Sequence, residues 1–288
     1  MNNKFCFLCP NECKIDKNVE KGACGTDNKI KIAKYYLHKY EEPVIAGSNG
    51  SGTIFFCGCS LRCVFCQNYE LSRVSRGKII STQQLAEIFK QLELMGAHNI
   101  NLVTPTHYSD KIIEALKIYR PKIPIVYNTH GYEKIEILKE LNEYVDVYLP
   151  DIKYFSPAIS SRYTGKSDYF AVASRAIEFM VNSKPLTFSD DGLLKSGVMV
   201  RHLVLPQNVS DSKKILDWYS HLKNDAYINV MSQYTPFGDV EKFPELNRKL
   251  TKREYDSVID YAISLSIEKM YYQKFESADT KYIPEWDF

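Results

Sequence analysis

The stretch Gly52-Thr-Ile-Phe-Phe-Cys57-Gly-Cys59-Ser-Leu-Arg-Cys63-Val-Phe-Cys66-Gln-Asn68 decides the fold of this chain. Thr53 to Phe56 is a β-branched and aromatic run of the kind that forms a strand. Gly58 then sits where a chain leaving a strand can turn sharply. Three cysteines, Cys59, Cys63 and Cys66, share the loop that follows, with gaps of three and two residues. A [4Fe–4S] cube normally takes one thiolate per iron, so a loop that supplies three leaves one iron open to another ligand. The same logic separates a closed structural zinc from a catalytic zinc with a vacant position. The plainer alternative is three-quarters of a zinc knuckle, but the strand-then-loop setting favours iron. Cys57 reads as a small packed thiol outside the ligand set.

A second group, Cys6, Cys9, Cys13 and Cys24, lies in a polar amino-terminal segment with few apolar residues to form a core of its own. Four soft ligands at this spacing suit a closed tetrahedral zinc site or a second iron–sulfur cluster, with zinc preferred. Either metal would contribute directly to folding. Free or disulfide-paired cysteines are the remaining alternative.

At 288 residues with 44% hydrophobic content, the chain can bury one barrel-sized core plus a small appendage. The division expected is a Cys-rich metal-binding segment over 1–45 and a barrel domain over 46–288. Cysteines gathered in two clusters point to metals in a reducing compartment, the cytoplasm. No signal peptide and no membrane-length apolar run is visible. The 37 basic and 35 acidic residues leave a net charge of +2 without blocks of one sign, so nucleic acid is not an expected partner. The Gly47–Gly52 run precedes a strand and lacks a following Gly-Lys-Ser/Thr, which excludes a phosphate loop.

Downstream, strand-like runs alternate with amphipathic helical ones. Ser81-Thr-Gln-Gln84 is a capping box opening a helix with Leu85, Ile88, Phe89 and Leu92 on one face. Strands are expected at 100–103, 123–127, 145–149, 198–205, 227–231 and 270–273. Helices are expected at 110–119, 133–141, 174–181, 212–221 and from Thr251 to Leu265. Serial βα units with nearly continuous apolar strands imply a parallel sheet covered by helices, a full or partial (β/α) barrel with its chemistry at the carboxyl strand ends. A doubly wound open sheet is the alternative. Polar residues do gather after the strands, at Thr104-Pro-Thr106-His107, Asn128-Thr129-His130-Gly131, Asp151 with Lys153, and Ser232-Gln233, while Arg201-His202 are expected near the start of the strand at 198–205. His38, His98 and His221 read as surface or packing residues.

The cysteine triad with an aromatic before its last member resembles the radical S-adenosylmethionine superfamily, in which the methionine part of the cofactor chelates the open iron. The run from Gly58 to Asn68 is similar to that of pyruvate formate-lyase activating enzyme. The resemblance implies a [4Fe–4S] cluster on Cys59, Cys63 and Cys66, S-adenosylmethionine, and an electron donor such as flavodoxin or ferredoxin. It also implies an oxidoreductase that makes a 5′-deoxyadenosyl radical and abstracts hydrogen from a substrate. Asp151 and Lys153 match the family's Asp-x-Lys, and Arg201 with Pro206 matches its Arg-x-x-x-x-Pro. Asn128 and Thr129 stand at its Asp-Thr-Asn-Gly turn, with asparagine where the aspartate helps to hold a monovalent cation. Thr104 and Thr106 replace the usual Gly-Gly-Glu and are carried over as cofactor contacts. The substrate implied is a glycyl radical enzyme; a free-standing enzyme acting on a peptide, cofactor or metabolite is the rival. From another class, the chain could be a non-catalytic electron carrier or zinc scaffold.

Overall fold

The computed structural model describes residues 5–74, 76–222 and 226–275. The barrel domain expected over 46–288 therefore runs past the described residues at its carboxyl end. Strand β1 (Ile30–His38) pairs antiparallel with β2 (Ser51–Phe56) on one side and with β3 (Lys78–Ile80) on the other. After β3 come α2 (Thr82–Leu94), β4 (Ile100–Val103), α3 (Ser109–Ile118), β5 (Ile125–Thr129), α4 (Ile135–Leu141) and β6 (Val147–Pro150). Then follow α5 (Pro157–Thr164), α6 (Tyr169–Ser183), β7 (Thr187–Phe188), β8 (Leu194–Leu203), α7 (Val209–Ser220), β9 (Tyr227–Met231), α8 (Lys252–Ser264) and β10 (Met270–Tyr272). A short helix, α1 (Pro43–Ala46), lies between β1 and β2.

Strands β2, β4, β5, β6, β8, β9 and β10 pair side by side in that order, all parallel. Successive parallel strands are spatial neighbours, with no reversal of order, which replaces the doubly wound alternative with a singly wound barrel. Among the described residues β10 does not pair back to β2, and β1 covers the free side of β2 instead. The barrel is partial, not full. The expected capping boxes are present at Ser81–Gln84 and at Thr251–Glu254, each with both reciprocal hydrogen bonds.

Inside the curve, α1 acts as a plug. Ile45 packs against Val126 of β5, Val147 and Leu149 of β6, and Leu194 and Met199 of β8. Its carbonyl accepts a 2.7 Å hydrogen bond from Asn99, whose own side chain is held by Ser51 at 2.5 Å. Outside the curve, the helices bury Ile54, Leu102, Tyr127, Tyr148 and Val200 from the opposite faces of the same strands. The alternation along each strand thus serves two cores.

Two expectations needed correction. The strand expected at 198–205 is β8, beginning at Leu194, so Arg201 lies near its carboxyl end, not near its start. The helix expected at 174–181 is longer, because α6 runs from Tyr169 to Ser183. The segment 1–45 also contributes β1, bonded to β2 from Ile32↔Phe56 to His38↔Ser51, so it shares the barrel's sheet. No described helix is long and apolar enough to cross a membrane.

Candidate active site

A cavity of about 240 Å³ opens at the carboxyl ends of the parallel strands. Cys59, Cys63 and Cys66 line it, together with Thr104, Asn128, Thr129, Asp151, Lys153 and Arg201. These residues come from separate βα units, and the strand order alone brings them together. Thr106 is not on this wall: it is fully buried behind it, its hydroxyl donating to Glu133 at 2.5 Å.

The cysteine loop is held from several sides. Gly58 has φ +87°, and a Cβ there would meet Thr26 Cγ2 at 2.3 Å, so only glycine fits. The Cys59 amide donates to the Cys24 carbonyl at 3.1 Å, and the Val64 amide to the Tyr163 carbonyl at 3.0 Å. Asn11 donates to the Ser60 carbonyl at 2.8 Å. His130 Nδ1 accepts from the Tyr132 amide at 3.1 Å, so its Nε2–H donates to Ser60 Oγ at 2.8 Å. Burial pushes His130 down to about 3, which keeps this ring neutral. Phe65 explains the aromatic before the last cysteine: it packs edge-on against Tyr154, Tyr163 and Tyr234. The Tyr154 hydroxyl donates to Cys63 Sγ at 3.5 Å.

All eight cysteines are free. Among the described residues no three His, Cys, Asp or Glu side chains are already closed around one metal position. The donor chemistry of the triad nonetheless fits a cube with an open corner: three soft ligands on one loop face a shared cavity, and among the described residues no other cysteine is on its wall. Cys57 faces elsewhere, its thiol donating to the Arg76 carbonyl at 2.8 Å and packing with Phe55 and Leu71. It is therefore no fourth ligand for the triad. Burial pushes the Cys59 thiol up to about 12 and that of Cys63 up to about 11, so a metal arriving there would displace protons.

At the amino terminus, Cys6 and Ile15 are paired by a 2.8 Å amide-to-carbonyl bond, and the turn closes with a bond from the Glu12 amide to the Cys9 carbonyl at 3.0 Å. A Cβ on Gly22 would lie 3.5 Å from both Cys13 Sγ and Cys24 Sγ. Lys17, almost fully buried, ties this segment to the barrel by donating to the His107 carbonyl at 3.1 Å.

Opposite the cysteines, Asp151 organises the charges. Its Oδ1 accepts from Arg201 Nε at 2.9 Å and its Oδ2 from Lys153 Nζ at 2.6 Å. Burial works against its charge, but Arg201 and Lys153 outweigh that and hold the carboxyl below the ordinary carboxylate range. Arg201 also donates to Asn128 Oδ1 at 2.5 Å and reaches Glu41 at 3.5 Å. Glu41 is the charged residue that sequence patterns missed; burial pushes its carboxyl up, against the pull of Arg201. Its only local signal is the pair Glu41-Glu42 before Pro43. Thr104 takes a left-handed φ of 56°, rare for a β-branched residue, with its amide fixed to the Asn128 carbonyl at 2.9 Å. Such strain concentrates at functional walls. His38 packs edge-on against Tyr36 and Phe55, as expected of a packing residue, and also lines the cavity, whereas His107 and His202 are buried away from it.

Fold and site together define an open parallel barrel whose carboxyl strand ends carry a cysteine-lined polar cavity. Residues 53–218, more than half of the chain, match the radical SAM superfamily, and the protein belongs to it. Uncharacterized protein MJ0674 of Methanocaldococcus jannaschii is 31% identical, over 93% of this chain and 77% of its own length. The structure of Streptococcus suis SuiB bound to precursor peptide SuiA is similar over 75% of this chain, with a TM-score of 0.53 at 14% identity. This chain spans about half of SuiB, 46%. A radical SAM methyltransferase from Sphaerobacter thermophilus is similar over 80% of this chain and 69% of its own, with a TM-score of 0.51 at 11% identity. Both structures share the fold.

Proposed function

We propose that this protein is a radical S-adenosylmethionine oxidoreductase whose cluster sits on Cys59, Cys63 and Cys66, with the cofactor lying between that loop and Asp151, Lys153 and Arg201. The observation that carries it is the cavity wall shared by the triad and these charges, with Cys57 turned away. Cys59, Cys63 and Cys66 would hold the cluster, which, reduced by a donor such as flavodoxin or ferredoxin, would supply the one-electron chemistry for cleaving S-adenosylmethionine to a 5′-deoxyadenosyl radical and for taking hydrogen from a substrate. The chain's own residues bind and orient. Asp151 holds Lys153 and Arg201 in place, so that two cations face the cofactor's carboxylate, while Thr104, Asn128 and Thr129 line the cavity around its neutral parts. The amino-terminal cysteines hold zinc or a second cluster, and the free thiols suit a reducing compartment such as the cytoplasm.

For the substrate, the activase reading takes a glycine backbone of a partner enzyme. The amino-terminal segment docked on the cluster loop, through Cys24, Asn11 and Gly58, favours instead a free-standing enzyme acting on a peptide, cofactor or metabolite. Anaerobic reconstitution with iron and sulfide, then dithionite and S-adenosylmethionine, tests the shared core. Methionine and 5′-deoxyadenosine are expected by chromatography from intact protein, and none from Cys63→Ala. Equal turnover in that variant, or none in intact protein, rejects the assignment.

A further inference from the structure

A second cavity, of about 290 Å³, adjoins the first and shares Tyr40, Glu41, Arg201, Met231 and Gln233 with it. Resting on the function proposed above, we infer that this cavity is the substrate subsite and that it takes a cationic alkyl group, an ammonium or guanidinium on an aliphatic chain.

Position comes first. A hydrogen donor must approach within about 3–3.5 Å of the reacting carbon. A cavity that adjoins the cofactor pocket through shared lining residues seats a substrate beside the cofactor without displacing it.

Charge is the second argument. Arg201 is the cation common to both cavities, but it is turned toward the cofactor side, bonded to Asp151 at 2.9 Å and to Asn128 at 2.5 Å. Glu41, common to both cavities, is already taken up by Arg201 at 3.5 Å and by the Asn101 amide at 3.1 Å, which leaves Glu42 as the carboxylate of the second cavity. Glu42 Oε1 accepts from Asn229 at 2.9 Å, whereas its Oε2 is buried and has no hydrogen-bond partner among the described residues. A carboxylate oxygen closed off without a donor is costly, and because Glu42 as a residue is only half-buried, a turn of its side chain into the cavity would let a ligand's donor satisfy that oxygen. Among the described residues no lysine lines this cavity.

The third argument is the remaining wall. Tyr271 and Tyr272 of β10 line the cavity, with Tyr271 packed on Tyr227 at 5.1 Å between ring centroids. Aromatic faces with Met231 accept both an aliphatic stem and the cation at its end. An anionic or wholly apolar substrate would meet the unsatisfied carboxylate and gain nothing from it.

The test uses the full-length protein and three probes: cadaverine, the tripeptide Gly-Lys-Gly amide, and its neutral counterpart Gly-norleucine-Gly amide. Binding is followed by intrinsic fluorescence and saturation-transfer NMR, without S-adenosylmethionine turnover. Saturable binding of the lysine tripeptide or of cadaverine is expected, about tenfold tighter than the neutral peptide. The peptide alone binding would identify a polypeptide substrate; cadaverine binding as well would identify a small amine. Glu42→Gln is expected to abolish the preference for charge, and Tyr272→Leu, on the exposed edge strand, to weaken both cationic probes. Equal binding of charged and neutral peptides, no saturation with any probe, or an unchanged preference in Glu42→Gln overturns the inference. Because binding is read apart from turnover, protein that cleaves S-adenosylmethionine yet ignores the cations refutes the subsite alone. Protein that binds them without cleavage refutes the function on which the subsite rests.

Discussion

At Glu133 the fold holds a carboxyl with three hydroxyl donors and no cation. Its Oε1 accepts from Thr106, Thr129 and Tyr127, while Oε2 is buried without a partner among the described residues. Burial pushes the group up to about 7, so the folded state binds its proton more tightly than the unfolded chain. Stability must therefore fall as pH rises from about 4 toward 7, by on the order of 3 kcal/mol for this one group. Glu133→Gln should flatten that slope in urea titrations at a series of pH values; a slope unchanged by the substitution would refute the assignment. Asp151 has the opposite sign. Its carboxyl is depressed, so its contribution is complete above about pH 4 and is lost as pH falls through the lower folded value. Asp151→Asn leaves Lys153 and Arg201 facing each other and should cost about 2–4 kcal/mol, the lower half being favoured because the pair keeps some contact with solvent. An unfolding midpoint matching the parent would contradict this. Asp151 was legible in the sequence because it follows a recognisable strand, and Arg201 through its spacing to Pro206, although its place near the end of β8 was not. Glu133 was not, since a lone glutamate ahead of an amphipathic run looks like any exposed helix start.

The element that most shapes the site is the docked amino-terminal segment. Its contacts with the cysteine loop are mainly hydrogen bonds to backbone carbonyls and one tight glycine approach, not side-chain pairs that leave a pattern in the sequence. Gly58→Ala forces both a left-handed alanine and a clash with Thr26, so a loss of about 3 kcal/mol is expected. Hydrogen exchange should rise together at the Cys59 amide, which donates to the Cys24 carbonyl, and at the Gly25 amide, which closes the turn beside Cys24. Fast exchange confined to one side would show that the two segments are not coupled. The cysteine spacings of both groups were plain in the sequence. Their adjacency was not, because β1, α1 and β2 all lie between Cys24 and Gly58 in the chain, and only the pairing of those strands brings the two together. Likewise α1 is too short and begins with a proline, so no periodicity marks it, yet Ile45 fills the inside of the barrel.

For the molecule as a whole, an open barrel needs its last strand secured without a closing partner. Tyr255 of α8 does this, its hydroxyl lying 2.9 Å from the carbonyls of both Val230 and Gln273. Tyr255→Phe removes that donor at one buried and one partly buried carbonyl and should cost about 1–2 kcal/mol, with exchange rising first in β9 and β10. Uniform loosening across the sheet would count against a local clasp. The βα alternation, the capping boxes and the cysteine triad are short-range features, written in spacing and periodicity, and they determined the class of fold and the chemistry. Which strands closed on which, that the barrel stays open beside β1, and that Glu41, Asp151 and Arg201 meet in one cavity were decided only in three dimensions. These contacts join residues far apart in the chain, and their geometry depends on strand register, which no local pattern encodes.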